Sequence, residues 1–210
     1  MGKRSNYKWV PKDLYRTIDV RGGAAVMPFL GRDQIRTFVE PCWGWGDLTG
    51  QITRGGIRCV GRYDIDPKMT RKVDPELPGL QGHVIARDAR QLTFADLNGA
   101  DAIITNPPWA RDHLHPMILR FAQLAPTWLL FDAAWKQTGQ AARLMRICTD
   151  FVPCPRLKWM PHTRDSAMDD CGWYRFSLAD AQAGAGTRFW PLGATPDDDP
   201  SEILTQAIGA

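Results

Sequence analysis

The turn formed by Asn106, Pro107, Pro108 and Trp109 is the part of this chain with the most specific chemical meaning. Each proline fixes its backbone torsion and lacks an amide hydrogen, so the carbonyls of the turn are held outward without local donors. An asparagine side-chain oxygen and one such carbonyl can together accept both hydrogens of a planar amino group. That draws the nitrogen lone pair out of conjugation with its ring and readies it to attack a methyl sulfonium. The indole of Trp109 would stack on the ring and hold it in line. No general base is required before the transfer, since the proton can leave afterwards. The plainer alternative is an Asn-Pro turn with Trp109 in the core.

Earlier in the chain, Gly44 and Gly46 follow an apolar run. Glycines there let the backbone pass close to a ligand and leave helix amides free to meet its polar atoms. A dinucleotide fingerprint is excluded, because its third glycine would fall at Thr49. Glu40 stands just before this turn and Asp64 at the end of the next apolar run, where doubly wound folds bind a ribose through its hydroxyls. The alternative for Asp64 and Asp66 is to cap the following helix, and Asp66, which precedes Pro67, is read that way. Asp88 ends a third run: it either accepts from the adenine amino group of a cofactor or is an exposed turn aspartate.

Strand-like runs at 35–40, 57–64, 83–86, 101–105 and 128–131 alternate with helix-length segments, the first helix being expected over 18–30 and ending at Gly31. Such alternation predicts an α/β fold with a mostly parallel sheet and helices on both faces. Runs at 151–160 and 172–178 read as a closing antiparallel hairpin around a polar loop. We expect one domain over 1–192, with a basic lead-in at 1–12, followed by an acidic, proline-rich mobile tail at 193–210.

The bulk numbers agree with a single core. The chain has 210 residues, 44% hydrophobic and 23% charged, with a net charge of +3 and a pI near 8.7. No apolar run approaches a membrane span and the basic start lacks the apolar stretch of a secretory signal, so a cytoplasmic location is expected. Five scattered cysteines without ligand spacing read as reduced thiols, and no metal is expected. Nine tryptophans offer flat faces for base stacking, although most tryptophans in any such set are core.

Taken in order, these motifs make the chain resemble the class I S-adenosylmethionine-dependent methyltransferases that modify amino groups, most of all the small phage-type or orphan DNA adenine methyltransferases. The resemblance spans about 13–178. It implies a Rossmann-like, seven-stranded sheet whose last strand is antiparallel, with S-adenosyl-L-methionine as cofactor. Glu40, Cys42, Gly44 and Gly46 would line its methionine and ribose, Asp64 with Ile65 would hold the ribose side, and Asp88 with Ala89 would meet the adenine. Tyr15 and Thr17 look like the family's Tyr-x-Thr-Pro element beside the cofactor, with Ile18 in place of the proline. Asn106, Pro107, Pro108 and Trp109 would be the catalytic turn, Asn106 also touching the cofactor.

The implied activity is methylation of adenine N6 in DNA after extrusion of the base. Basic residues that could meet the phosphates are Lys3, Arg4, Lys8, Lys12, Arg111, His113, Arg156, Lys158 and Arg164. The same turn serves enzymes that methylate adenine in RNA or a glutamine amide in protein, and a silent nucleic-acid-binding module is a further alternative. DNA is preferred for the compact layout and the tryptophan at the aromatic position. The resemblance further implies a role in protection against restriction.

Overall fold

A computed structural model of the chain describes residues 16–66, 68–69, 83–159 and 169–198. One sheet organises them, with strands β1 (Thr37–Glu40), β2 (Arg58–Asp64), β3 (Ile85–Ala86), β4 (Ala102–Thr105), β5 (Thr127–Asp132), β6 (Cys148–Pro153), β7 (Cys171–Phe176) and β8 (Arg188–Phe189). Their spatial order is β3-β2-β1-β4-β5-β7-β6-β8. The first five run parallel, and β7 is antiparallel to both β5 and β6.

Helices cover both faces, as the alternation predicted. Along β5, Trp128 and Leu130 point to one side, where α1 (Val20–Arg32) and α2 (Asp47–Arg54) pack through Val26, Phe29, Leu30, Leu48 and Ile52. Leu129 and Phe131 point to the other, toward Leu114, Ile118 and Phe121 of α3 (Arg111–Leu124). That two-residue alternation under three-to-four-residue helical spacing makes two apolar layers from one sheet.

Several boundaries differ from expectation for local reasons. α1 starts at Val20 because Asp19 caps it, accepting from the Arg21 amide at 3.1 Å, and it runs through Gly31 to Arg32. The expected strand over 151–160 instead begins at Cys148 and stops at Pro153, where Pro153 and Pro155 withdraw amide donors from the ladder. An eighth strand, β8, joins the outer edge parallel to β6 and adds to the seven expected. Within the expected tail, Ala194 is buried and the Thr195 amide donates to Asp198 at 2.7 Å. Residues 1–12 and 199–210 lie outside the described residues. No helix among the described residues is long and apolar enough to cross a membrane.

The far edge of the sheet is held by a buried carboxylate. Asp150 on β6 accepts from Arg32 of α1 at 2.8 Å and from the Trp190 indole at 3.0 Å, so one side chain ties helix, strand and edge together. Asp150→Ala would leave Arg32 with Asp33 alone and orphan the indole N–H. A loss of about 3 kcal/mol is expected from removing one partner of a buried ion pair. Chemical denaturation would measure it, and a midpoint equal to that of the wild type would show that the network contributes nothing.

Candidate active site

The order of the sheet reverses at β1 and β4, the place where open α/β sheets form a ligand crevice. β1 lies between β2 and β4, so the connections leaving β1 and β4 diverge beyond their C-terminal ends. The loop after β1 carries Cys42, Gly44 and Gly46, and the turn after β4 begins at Asn106. With Phe38 opposite Ala102 and Val39 opposite Ile103, continuing the register brings Cys42 level with Asn106.

The glycine loop takes its shape from φ angles of +55° at Gly44 and +79° at Gly46, both in the left-handed region. A Cβ on Gly46 would lie 2.5 Å from the Trp43 ring, whereas one on Gly44 would meet nothing within 4 Å. Gly46 is therefore required for packing, and Gly44 leaves open space beside the backbone. Its amide donates to Asp64 Oδ2 at 2.7 Å, while Asp64 Oδ1 accepts from the Asp66 amide at 2.8 Å. Asp64 is thereby locked against the loop, with lone pairs remaining on both oxygens. Ile65 beside it is 67% exposed, an apolar face with room above it. Asp66 accepts from the Lys68 amide at 2.9 Å, and the helix it is expected to cap lies outside the described residues.

Glu40 ends β1 almost fully buried and bonded to the Thr49 hydroxyl of α2. Burial, reinforced by Asp47 and Asp64 and opposed by the Thr49 hydrogen bond, raises its pKa to about 8. Burial, with Asp64 adding to it, also pushes the Cys42 thiol well above its usual range, so Cys42 is a neutral lining group.

Asp88 follows β3, which is anchored to Asp64 through the Arg87 amide at 2.9 Å. Its carboxylate accepts from the Arg90 amide at 2.9 Å and pairs with the Arg90 guanidinium at 2.6 Å, and that side-chain bond holds its pKa below the usual range. Asp88 is thus a turn cap with an arginine partner, and any adenine amino group there would be an added donor. Ala89 beside it is buried in the core under α3.

At the turn itself, Asn106 Nδ2 donates to the Thr17 hydroxyl at 3.0 Å, and Asn106 Oδ1 accepts from the Trp109 indole N–H at 3.0 Å. Pro107 is buried, and Trp109 meets Trp159 edge-on with ring centroids 5.6 Å apart. Thr17 is brought in by the segment before α1, which Arg16 straps across the glycine loop. The Arg16 guanidinium makes two 2.7 Å bonds to Asp47 and lies 5.1 Å over the Trp45 ring. Tyr15, the other half of that Tyr-x-Thr element, lies outside the described residues.

The structure thus places Glu40, Cys42, Gly44, Gly46, Asp64 and Asn106 at or just beyond the C-terminal ends of β1, β2 and β4, with Thr17 and Trp109 bonded to Asn106. The expected basic surface is less united. Arg111 is engaged by Gln140 at 3.0 Å and Arg156 by Asp170 at 2.9 Å, and Lys158 donates its backbone amide to Asp19 at 3.0 Å. His113 is exposed, and Lys3, Arg4, Lys8, Lys12 and Arg164 lie outside the described residues. Arg16, Asp47 and Gln51 were missed. Arg16 and Asp47 are ordinary charges in sequence, and their 31-residue separation hides the pairing. The only hint at Gln51 is its place between Gly50 and Ile52 on the packed side of α2. Among the described residues no cluster of side chains could hold a metal ion, and all five cysteines are free.

Glu40 makes a pH-dependent contribution that can be measured. Its folded pKa, about 8, lies above the ordinary 4.5, so the folded chain keeps a proton that the unfolded chain releases. The stability associated with this group is complete below about pH 4.5 and drains away up to about pH 8. Glu40→Gln should flatten the fall in melting temperature over that interval, and identical slopes in both proteins would sink the assignment.

No family model and no curated protein matches the chain. Solved structures do. A candidate class I S-adenosylmethionine-dependent methyltransferase from Listeria monocytogenes aligns over 95% of this chain and 72% of its own, at 12% identity and a TM-score of 0.61. The N-methyltransferase NodS from Bradyrhizobium japonicum, crystallised with S-adenosyl-L-homocysteine, aligns over 74% of this chain and 84% of its own, at 16% identity and a TM-score of 0.52. A modification subunit of a candidate type I restriction enzyme from Vibrio vulnificus aligns over 95% of this chain and 53% of its own, at 13% identity and a TM-score of 0.50. At such identities the likeness establishes architecture: the chain has the Rossmann-like fold of the class I methyltransferases.

Proposed function

We propose that this chain is an S-adenosyl-L-methionine-dependent methyltransferase acting on the N6 amino group of adenine in DNA. The observation that carries the reading is Asn106, rooted at the end of β4 beside the glycine loop with its amide already held by two hydrogen bonds. The cofactor fits the other half of the cleft. Gly44 leaves open space, Asp64 keeps lone pairs for vicinal hydroxyls, and Ile65 offers an apolar face for a purine. When bound, the cofactor supplies an electrophilic methyl group on a sulfonium.

The residues of the chain do the rest. Asn106 Oδ1 and the carbonyl of Pro107 accept the two amino hydrogens and turn the nitrogen lone pair toward the methyl carbon. The bond to the methyl carbon would form at nitrogen while the cofactor sulfur keeps the electron pair of the broken C–S bond. The extra proton leaves afterwards to water. Trp109 holds the plane of the base, and an adenine in a duplex reaches the turn only after being flipped out. DNA is favoured over RNA by the small phage-type layout and by the tryptophan at the aromatic position. The test uses labelled cofactor with unmethylated DNA, and N6-methyladenine should appear on nucleoside analysis. Asn106→Ala should lower the rate roughly 100-fold or more, by analogy with loss of one transition-state acceptor, while cofactor binding persists. Label found solely in RNA or in protein would overturn the DNA assignment, and failure to bind the cofactor would overturn the whole reading.

A further inference from the structure

Asn106 must offer an acceptor to an incoming amino group, yet half a turn about its last torsion would offer a donor instead. One neighbour decides which end faces where, and a second holds the amide in place. The Trp109 indole N–H can only donate, so the amide atom 3.0 Å away is the oxygen. At the other end, Nδ2 donates to the Thr17 hydroxyl at 3.0 Å. Thr17 belongs to the irregular segment before α1, whose backbone has no helix or strand to fix it. Gln51 of α2 supplies that constraint. Its Nε2 donates to the Thr17 carbonyl at 2.5 Å, and its Oε1 accepts from the Gly23 amide at 2.9 Å. Gly23 is needed for this approach, since a Cβ there would lie 2.7 Å from the same oxygen. Gln51 therefore uses both ends of its amide to hold the strap against α1, and neither to touch the glycine loop or the catalytic turn.

We propose that Gln51 is a positioning residue for the transfer: it pins Thr17, whose hydroxyl holds the Asn106 amide in place in the facing that the Trp109 indole sets, with Oδ1 as the acceptor for the substrate amino group. The proposal rests on the assignment of Asn106 as that acceptor. Without Gln51 the glycine loop, Asp64 and Glu40 keep their own bonds, so cofactor affinity should survive. Thr17 and the Asn106 amide gain freedom, and the loss falls on turnover.

The full chain carrying Gln51→Met keeps the side-chain volume and loses both hydrogen bonds, whereas Gln51→Glu still accepts from Gly23 and cannot donate to Thr17. Both should lower kcat about 10-fold, because small misplacement of a reacting group is costly. Cofactor Kd should stay within about twofold, the pattern of an interaction made in the transition state alone. Thr17→Val should match them in kcat, and Thr17→Ser, which keeps the hydroxyl, should recover the rate. In protein labelled with 15N-asparagine, the Asn106 side-chain resonance, identified by its disappearance in Asn106→Ala, should shift in Gln51→Met whether or not the protein turns over. Wild-type kcat and an unmoved resonance in both Gln51 variants would overturn the proposal, as would failure of Thr17→Ser alongside Thr17→Val. If Asn106→Ala still transferred methyl at the wild-type rate, the proposed function would fall first and the positioning role with it.

Discussion

The parallel pairing of β1 with β4 is the constraint on which the candidate site depends. Phe38 faces Ala102 and Val39 faces Ile103, so the chain leaves β1 into the glycine loop at the height where it leaves β4 into Asn106. A slip of one residue would exchange the faces of the strand, sending Glu40 from the α2 side to the α3 side and Phe38 out of its layer. Both faces are packed with apolar side chains, so such a slip is strongly disfavoured. The accuracy of the site is thus inherited from the core.

Polar groups in the cleft are divided by how the fold satisfies them. Asp64 is tied to two backbone amides, Asp88 is bound by Arg90, and Glu40 is buried with a hydroxyl partner and keeps its proton to about pH 8. Burying a charged carboxylate without a counter-ion is costly, and a neutral Glu40 avoids that cost while still bonding Thr49. The cleft therefore combines a neutral floor at Glu40 and Cys42 with acceptors at its rim, a distribution suited to a ligand that is polar at its hydroxyls and cationic at its reacting sulfur.

The sheet and the placement of its loops were legible because they follow from periodicity: apolar runs separated by helix-length segments leave few topologies once crossovers are right-handed. The Asn-Pro-Pro-Trp turn was legible because its residues carry their own geometry. What escaped was set by pairings across the fold. β8 has two residues, Arg188 and Phe189, too short for any alternation to show. The ends of α1 and β6 were decided by a cap at Asp19 and by Pro153, which compete locally with the apolar pattern. Arg16 with Asp47, and Gln51 with Thr17, are separated by tens of residues, and nothing in either residue type announces its partner.

The contact between Trp109 and Asn106 bears on how an amino group would be recognised. The acceptor oxygen is already satisfied by the indole, so no half-buried carbonyl is left without a donor. An arriving amino hydrogen exchanges one donor for another or shares the oxygen through its second lone pair, and the net gain in hydrogen bonding is small. Affinity for the substrate must then come mainly from elsewhere, from stacking on the tryptophan faces and from charge outside the turn. The hydrogen bond to Asn106 retains a different role. On the proposed reading it would set the angle of the nitrogen lone pair, which matters in the transition state and little in the ground state, and binding of that kind raises turnover more than affinity.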